Sequence, residues 1–197
     1  MKIKPSDGSE FDRLDADRTL RFNYLLNNNS VVVDLGARHG NWAKIIRERY
    51  QPKMYCFEVV PEFCNELRTK GYNTFCTAVA DKEEVLTFGT VEGESSMYYE
   101  PKFESQSIPA SKIFELINEE EIDLMKINVE GAEYNIIRNL IETGNIGKVK
   151  NLQVQFHLFD WVDKREEYEQ LSSDLSKTHY PSWKFPFVWE NWKLKNY

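Results

Sequence analysis

The residues best suited to chemistry fall in a few short runs, the first being Asp34-Leu35-Gly36-Ala37-Arg38-His39-Gly40-Asn41-Trp42. It follows Val31-Val32-Val33, a β-branched run of the kind that forms a strand buried on both faces. Gly36 lets the chain turn sharply out of that strand. Gly40 is expected to keep the next helix entrance free of side chains, so that a ligand lies against bare backbone. A dinucleotide is the obvious tenant, but its fingerprint G-x-G-x-x-G needs a third glycine, and this loop offers only Gly36 and Gly40. Asp34 would repel a pyrophosphate and suits a ligand carrying an ammonium group. An amino acid joined to a nucleoside, as in S-adenosylmethionine, has that distribution of charge. Asp34, Gly36, Ala37, Arg38, Gly40, Asn41 and Trp42 are therefore the expected first cofactor contacts.

Two further runs extend this reading. Phe57-Glu58-Val59 ends a second strand, at about the 20-residue interval where an acid accepts hydrogen bonds from ribose hydroxyls. Ala78-Val79-Ala80-Asp81 ends a third; its small residues leave room for a flat adenine, and Asp81 is placed to accept from the exocyclic amine. His39 reads as a helix cap within the cofactor loop.

The elements that must carry these residues alternate in period. Strands are expected at 31–35, 54–57, 73–80 and 122–129, and at 152–158, where Leu152, Val154, Phe156 and Leu158 alternate with polar residues. A short extra strand is expected at 85–88, followed by an irregular stretch in which 95–99 forms a loop beside the acceptor. Helices are expected at 41–50, 61–70 with Pro61 in its first turn, 109–118 and 132–141. A last helix is capped at Asp163 and carries the stripe Tyr168, Leu171 and Leu175. One or two closing strands follow over 183–194. Such alternation predicts an α/β fold with a mainly parallel sheet and helices on both faces. Residues 1–30 read as an N-terminal helical extension with an amphipathic helix over 15–26, and 31–197 as the cofactor-binding domain.

Composition narrows the class. The chain has 197 residues, 41% hydrophobic and 29% charged, with a formal net charge of −7, which suits one folded domain. The negative field disfavours nucleic acid as a partner. The three cysteines, Cys56, Cys64 and Cys76, form no metal or redox spacing and read as free thiols in a reducing, cytoplasmic setting. No membrane span or apolar leader is expected.

The segment Ile122-Asp123-Leu124-Met125-Lys126-Ile127-Asn128-Val129-Glu130-Gly131-Ala132-Glu133 resembles the I-D-x-x-K-I-D-V-E-G-A-E pattern of FkbM-type S-adenosylmethionine-dependent methyltransferases. The glycine loop, Phe57-Glu58, the run 78–81 and the run 93–96 follow in that family's order, and the likeness spans roughly residues 31–160. It implies the Rossmann-like class I methyltransferase fold with a seven-stranded sheet, S-adenosylmethionine as cofactor, and methylation of a hydroxyl oxygen, often on a sugar. A glycan or oligosaccharide is then the expected acceptor. Similar modules also occur joined to glycosyltransferases, so the chain is a candidate part of a larger polypeptide of that kind. Asn128 stands where the family usually has Asp, and Gln155 where an acid is common. Both swaps weaken a site for a hard cation, so no metal is expected.

A sugar hydroxyl gains from a base as its proton leaves. His157 is the first candidate, expected at the carboxyl end of a central strand, and Glu130 acts as base if His157 does not. Asn128 would hold the acceptor or the methionine part, while Lys126 reads as a partner for a nearby carboxylate. Among Trp161, Trp183, Trp189, Trp192, Tyr98, Tyr99 and Tyr180, one or two rings are candidates to line an acceptor groove. The alternatives are a small-molecule or protein acceptor, a non-catalytic cofactor-binding module, and a nicotinamide-dependent oxidoreductase, which the missing third glycine disfavours.

Overall fold

The protein is described by a computed structural model covering residues 8–91, 94–96, 100, 102–159 and 161–196. Its strands are β1 (Val31–Leu35), β2 (Lys53–Glu58), β3 (Asn73–Cys76), β4 (Ala78–Ala80), β5 (Val85–Val91), β6 (Glu94–Ser96), β7 (Phe103–Pro109), β8 (Leu124–Ile127), β9 (Asn151–Val154), β10 (His179–Phe185) and β11 (Trp189–Leu194). Its α-helices are α1 (Ser9–Arg13), α2 (Ala16–Thr19), α3 (Asn41–Tyr50), α4 (Pro61–Thr69), α5 (Ile113–Ile117), α6 (Glu133–Glu142) and α7 (Arg165–Thr178).

The β-branched run of β1 is buried along its whole length. Val31, Val33 and Leu35 join the core cluster containing residues of α5, α6 and α7. Val32 joins the one built on α3 and Leu67 of α4. That period of two is the pleat of a strand covered on both sides, and it sets helices on both faces of the sheet. The sheet has seven strands in the order β10-β11-β9-β8-β1-β2-β3. Only β11 runs antiparallel to its neighbours; the pairs from β9 to β3 are all parallel. Chain order reverses at β1, which has β2 on one side and β8 on the other. Leu35 is level with both Phe57 and Ile127, so three strand ends open together at the switch point where such sheets bind ligands.

Several expectations are corrected. The run 73–80 is two strands: β3 pairs with β2, whereas β4 pairs with β7 in a second, four-stranded sheet ordered β4-β7-β5-β6. Strand β7 lies in the stretch read as irregular; its polar sequence FESQSIP leaves most side chains partly exposed and gives no apolar signal. Ser95 and Ser96 belong to β6 rather than to a loop, and Gly93, Met97, Tyr98 and Tyr99 lie outside the described residues. Strand β9 stops at Val154, although Gln155 N still donates to Ile127 O at 3.1 Å. Asp163 does not itself cap α7; its carboxylate accepts from Arg165 N at 3.1 Å.

Residues 15–26 do not form one helix. Only α2 is helical there, because beyond it the carbonyls of Arg21 and Phe22 and the N–H of Tyr24 bond to side chains of the domain. Gln153 Nε2 donates to Arg21 O at 2.8 Å, Tyr50 Oη donates to Phe22 O at 2.8 Å, and Tyr24 N donates to Tyr50 Oη at 3.2 Å. The segment is a strap fastened across the sheet. The cysteine reading also changes: Cys64 of α4 and Cys76 of β3 form a disulfide, and Cys56 alone is free and buried. The ground for a reducing, cytoplasmic setting goes with it. Among the described residues no helix is long and apolar enough to cross a membrane.

Candidate active site

The loop leaving β1 touches the loop leaving β8. Gly36 has φ 76°, and a Cβ there would lie 1.9 Å from Asn128 O, so only glycine fits both the turn and the approach. Gly36 N and Ala37 N donate to Phe57 O at 3.0 and 3.1 Å, which ties the turn to β2. Beyond these strand ends lies a cavity of about 370 Å³, within the usual size of small-molecule sites. Gly36, Ala37, Arg38, Asn41, Trp42, Glu58, Val59, Ala78, Val79, Asn128 and Glu130 all line it.

Glu58 is 5% exposed and is held by backbone alone. Arg38 N donates to its Oε2 at 2.7 Å, and Val59 N and Val60 N donate to its Oε1 at 2.8 and 3.0 Å. Oε1 thus accepts two bonds and Oε2 one, so Oε2 keeps a lone pair for a ligand hydroxyl.

Four expected contacts do not reach the cavity wall. Asp34 is fully buried and faces Lys126 Nζ at 2.9 Å, so its charge is already neutralised and it is not the partner of a ligand ammonium. Lys126 is the structural cation expected of it. It also donates to Gly36 O at 2.8 Å, fixing the glycine turn. Gly40 adopts φ 74° at the start of α3, and a Cβ there would press on Leu67 Cδ2 at 2.8 Å. It serves helix packing, not ligand access. Ala80 is buried in β4 behind the lining. Asp81 is also outside the lining, and its backbone oxygen accepts from Asn139 Nδ2 at 2.9 Å.

At the end of β8 the acids of the E-G-A-E run take distinct places. Glu133 is fully buried and accepts from Val129 N at 3.1 Å and Gly131 N at 2.9 Å. It thereby holds the tight turn in which Glu130 has φ 51° and Gly131 φ 107°. His157 lies between the two acids, with Nδ1 2.7 Å from Glu133 and Nε2 3.2 Å from Glu130. Burial alone would lower the imidazole pKa, but Glu133 and Glu130 outweigh it and raise it to about 10. A ring already carrying both protons cannot accept a third, so His157 is not a general base at neutral pH. It also stands behind the cavity lining, whereas Glu130 is part of it.

From His157 a stack of rings runs outward. The centroids of His157 and Phe159 are 6.0 Å apart and those of Phe159 and Trp161 5.1 Å, with interplanar angles of 16° and 18°. Trp161 ends the stack 63% exposed, while Trp189 and Trp192 are core residues. Sequence reasoning missed Asp17, Arg21 and Phe22 of the strap, and Phe63, Leu86 and Phe88, all of which line the cavity. The strap residues carried no signal beyond a charged pair beside an aromatic. Among the described residues no group of three or more His, Cys, Asp or Glu is arranged to hold a metal ion.

A seven-stranded sheet with one antiparallel strand, a glycine turn after its central strand and a backbone-held acid at the next strand end define a class I methyltransferase of the Rossmann-like kind. The Methyltransferase FkbM domain model matches residues 34–180, and the chain belongs to that family. No curated protein matches it. Among solved structures, a rRNA methylase from Streptococcus thermophilus is 12% identical, with 98% of each chain covered and a TM-score of 0.52. TrmK of M. capricolum, solved with S-adenosyl-homocysteine, is 13% identical with a TM-score of 0.47. The alignment covers 88% of this chain and 66% of that one. The likeness to the rRNA methylase concerns the fold alone. The cofactor is S-adenosylmethionine, and the cavity fits it: Glu58 offers an acceptor to a ribose, while the buried Trp42 Nε1 and Asn128 Oδ1 of the lining have no partner within the protein.

Proposed function

We propose that the protein is an O-methyltransferase acting on a hydroxyl of a sugar in a glycan or polysaccharide, with Glu130 as the base. The observation that carries this reading is the place of Glu130, on the cavity wall and paired with a histidine cation. When bound, S-adenosylmethionine supplies a methyl group already activated on a sulfonium, so the protein has chiefly to align and deprotonate the acceptor. Glu58 holds the donor's ribose, and Ala78 and Val79 leave a flat surface for its base. Asn128 is placed between donor and acceptor. The acceptor oxygen would form its bond to the methyl carbon as the carbon–sulfur bond breaks and S-adenosylhomocysteine leaves, and the acceptor's proton would pass to a Glu130 carboxylate oxygen. His157, anchored by Glu133, keeps that carboxylate oriented.

The sugar is supported by the ring stack that ends in exposed Trp161, since the apolar face of a sugar packs on such a ring. The negative net charge favours a neutral polyhydroxyl acceptor over a phosphate chain.

The test is methyl transfer to a panel of oligosaccharides, read as a one-methyl mass increase. Glu130→Gln lowers kcat by about 10²–10⁴-fold while the affinity for S-adenosylhomocysteine stays within a few-fold. Near-normal turnover in that variant removes the base role. Methylation of proteins or small molecules with no oligosaccharide modified removes the acceptor class.

A further inference from the structure

Five described residues have a buried side-chain polar atom with no hydrogen-bond partner, and three of them, Arg21, Trp42 and Asn128, line the same cavity. Buried polar atoms without partners are rare in folded proteins, and each calls for a cause. The three atoms are two donors, Arg21 Nε and Trp42 Nε1, and one acceptor, Asn128 Oδ1.

We infer that Arg21 and Trp42 bind the carboxylate of the donor's amino-acid end, and that Asn128 Oδ1 receives its ammonium. A zwitterionic amino acid presents an acceptor and a donor side by side, which is the complement of this set. Asp34, the acid the sequence offered for the ammonium, is closed off by Lys126. Arg21 lies outside the residues matched by the family domain, so the strap completes the donor site.

The guanidinium of Arg21 is well fixed for this task. It lies 3.8 Å over the Trp189 ring, pairs through Nη1 with Asp17, and belongs to a residue whose carbonyl is held by Gln153. These contacts leave Nε for a ligand. An ionic acceptor is the partner that returns most from such a donor. The assignment rests on the donor reading of the cavity, and its test separates the two.

The full chain is titrated in a calorimeter with S-adenosylhomocysteine and with 5′-methylthioadenosine, which keeps the nucleoside and thioether but lacks the amino-acid end. The wild type binds the first more tightly. Arg21→Ala weakens S-adenosylhomocysteine by about 10–100-fold and leaves methylthioadenosine within two-fold or so; Trp42→Phe shows the same selectivity with a smaller loss. If Arg21→Ala does not fold, Arg21→Lys keeps a cation near Trp189, removes Nε, and gives the same selective loss. A variant that keeps the wild-type ratio of the two affinities overturns the assignment, as does one that weakens both ligands equally. A wild type that binds neither ligand overturns the donor reading itself.

Discussion

Three backbone N–H groups converge on the Glu58 carboxylate, and this explains how a buried acid is fixed at the cavity wall by backbone donors. Asp34 is the opposite case, an acid that works only because Lys126 crosses from β8 to meet it. Both groups are almost fully buried, so Lys126→Met should cost about 3–5 kcal/mol of stability by stranding the carboxylate. A loss in urea denaturation below about 1 kcal/mol would contradict that role. His157 gives a second prediction. Its pKa rises from 6.5 to about 10 on folding, so the folded state holds a proton that the unfolded chain releases. The resulting stabilisation is complete below pH 6.5 and is lost as pH climbs to about 10, with a slope approaching about 1.4 kcal/mol per pH unit. His157→Gln should flatten this part of the stability profile, and an unchanged slope would show that another group titrates there. Residue type at a strand end pointed to Glu58, Asn128 and Glu130, and all three line the cavity. It misplaced Asp34 and His157, because their roles are set by Lys126 and Glu133, partners far away in the chain that periodicity does not reveal.

The alternation of buried strands with amphipathic helices was legible because it follows from local spacing: α3 was anticipated in full, and β1, β2 and α4 to within a residue or two. What escaped was set by tertiary contact. The strap over 15–26 had helical spacing, but its carbonyls are captured by Gln153 and Tyr50, so the helix ends at Thr19. Strand β7 had too little apolar character to announce itself, and the break at Thr77 divides one expected strand between two sheets. The Cys64–Cys76 disulfide joins α4 to the end of β3, where Cys76 is level with Glu58. It closes a short loop, for which loop entropy implies a contribution of about 3 kcal/mol. Reduction, or Cys64→Ala with Cys76→Ala, should lower the melting temperature and loosen donor binding through α4. An identical melting curve under reductant would show that the bond contributes nothing.

Across the whole molecule, the switch at β1 brings the ends of β1, β2 and β8 to one crevice, and the strap closes its side, so the donor would touch residues from Arg21 to Glu130. The seven-stranded sheet was implied by the resemblance in 122–133 and the helices on both faces by the alternation of strands and helices, whereas the strap's share of the cavity was implied by neither. The most direct measurement is a crystal structure of the chain soaked with S-adenosylhomocysteine. The ribose hydroxyls should lie within hydrogen-bond distance of Glu58, with the sulfur turned toward Asn128 and Glu130. Nucleoside density elsewhere on the molecule, or a cavity without ligand density at saturating ligand, would contradict the account.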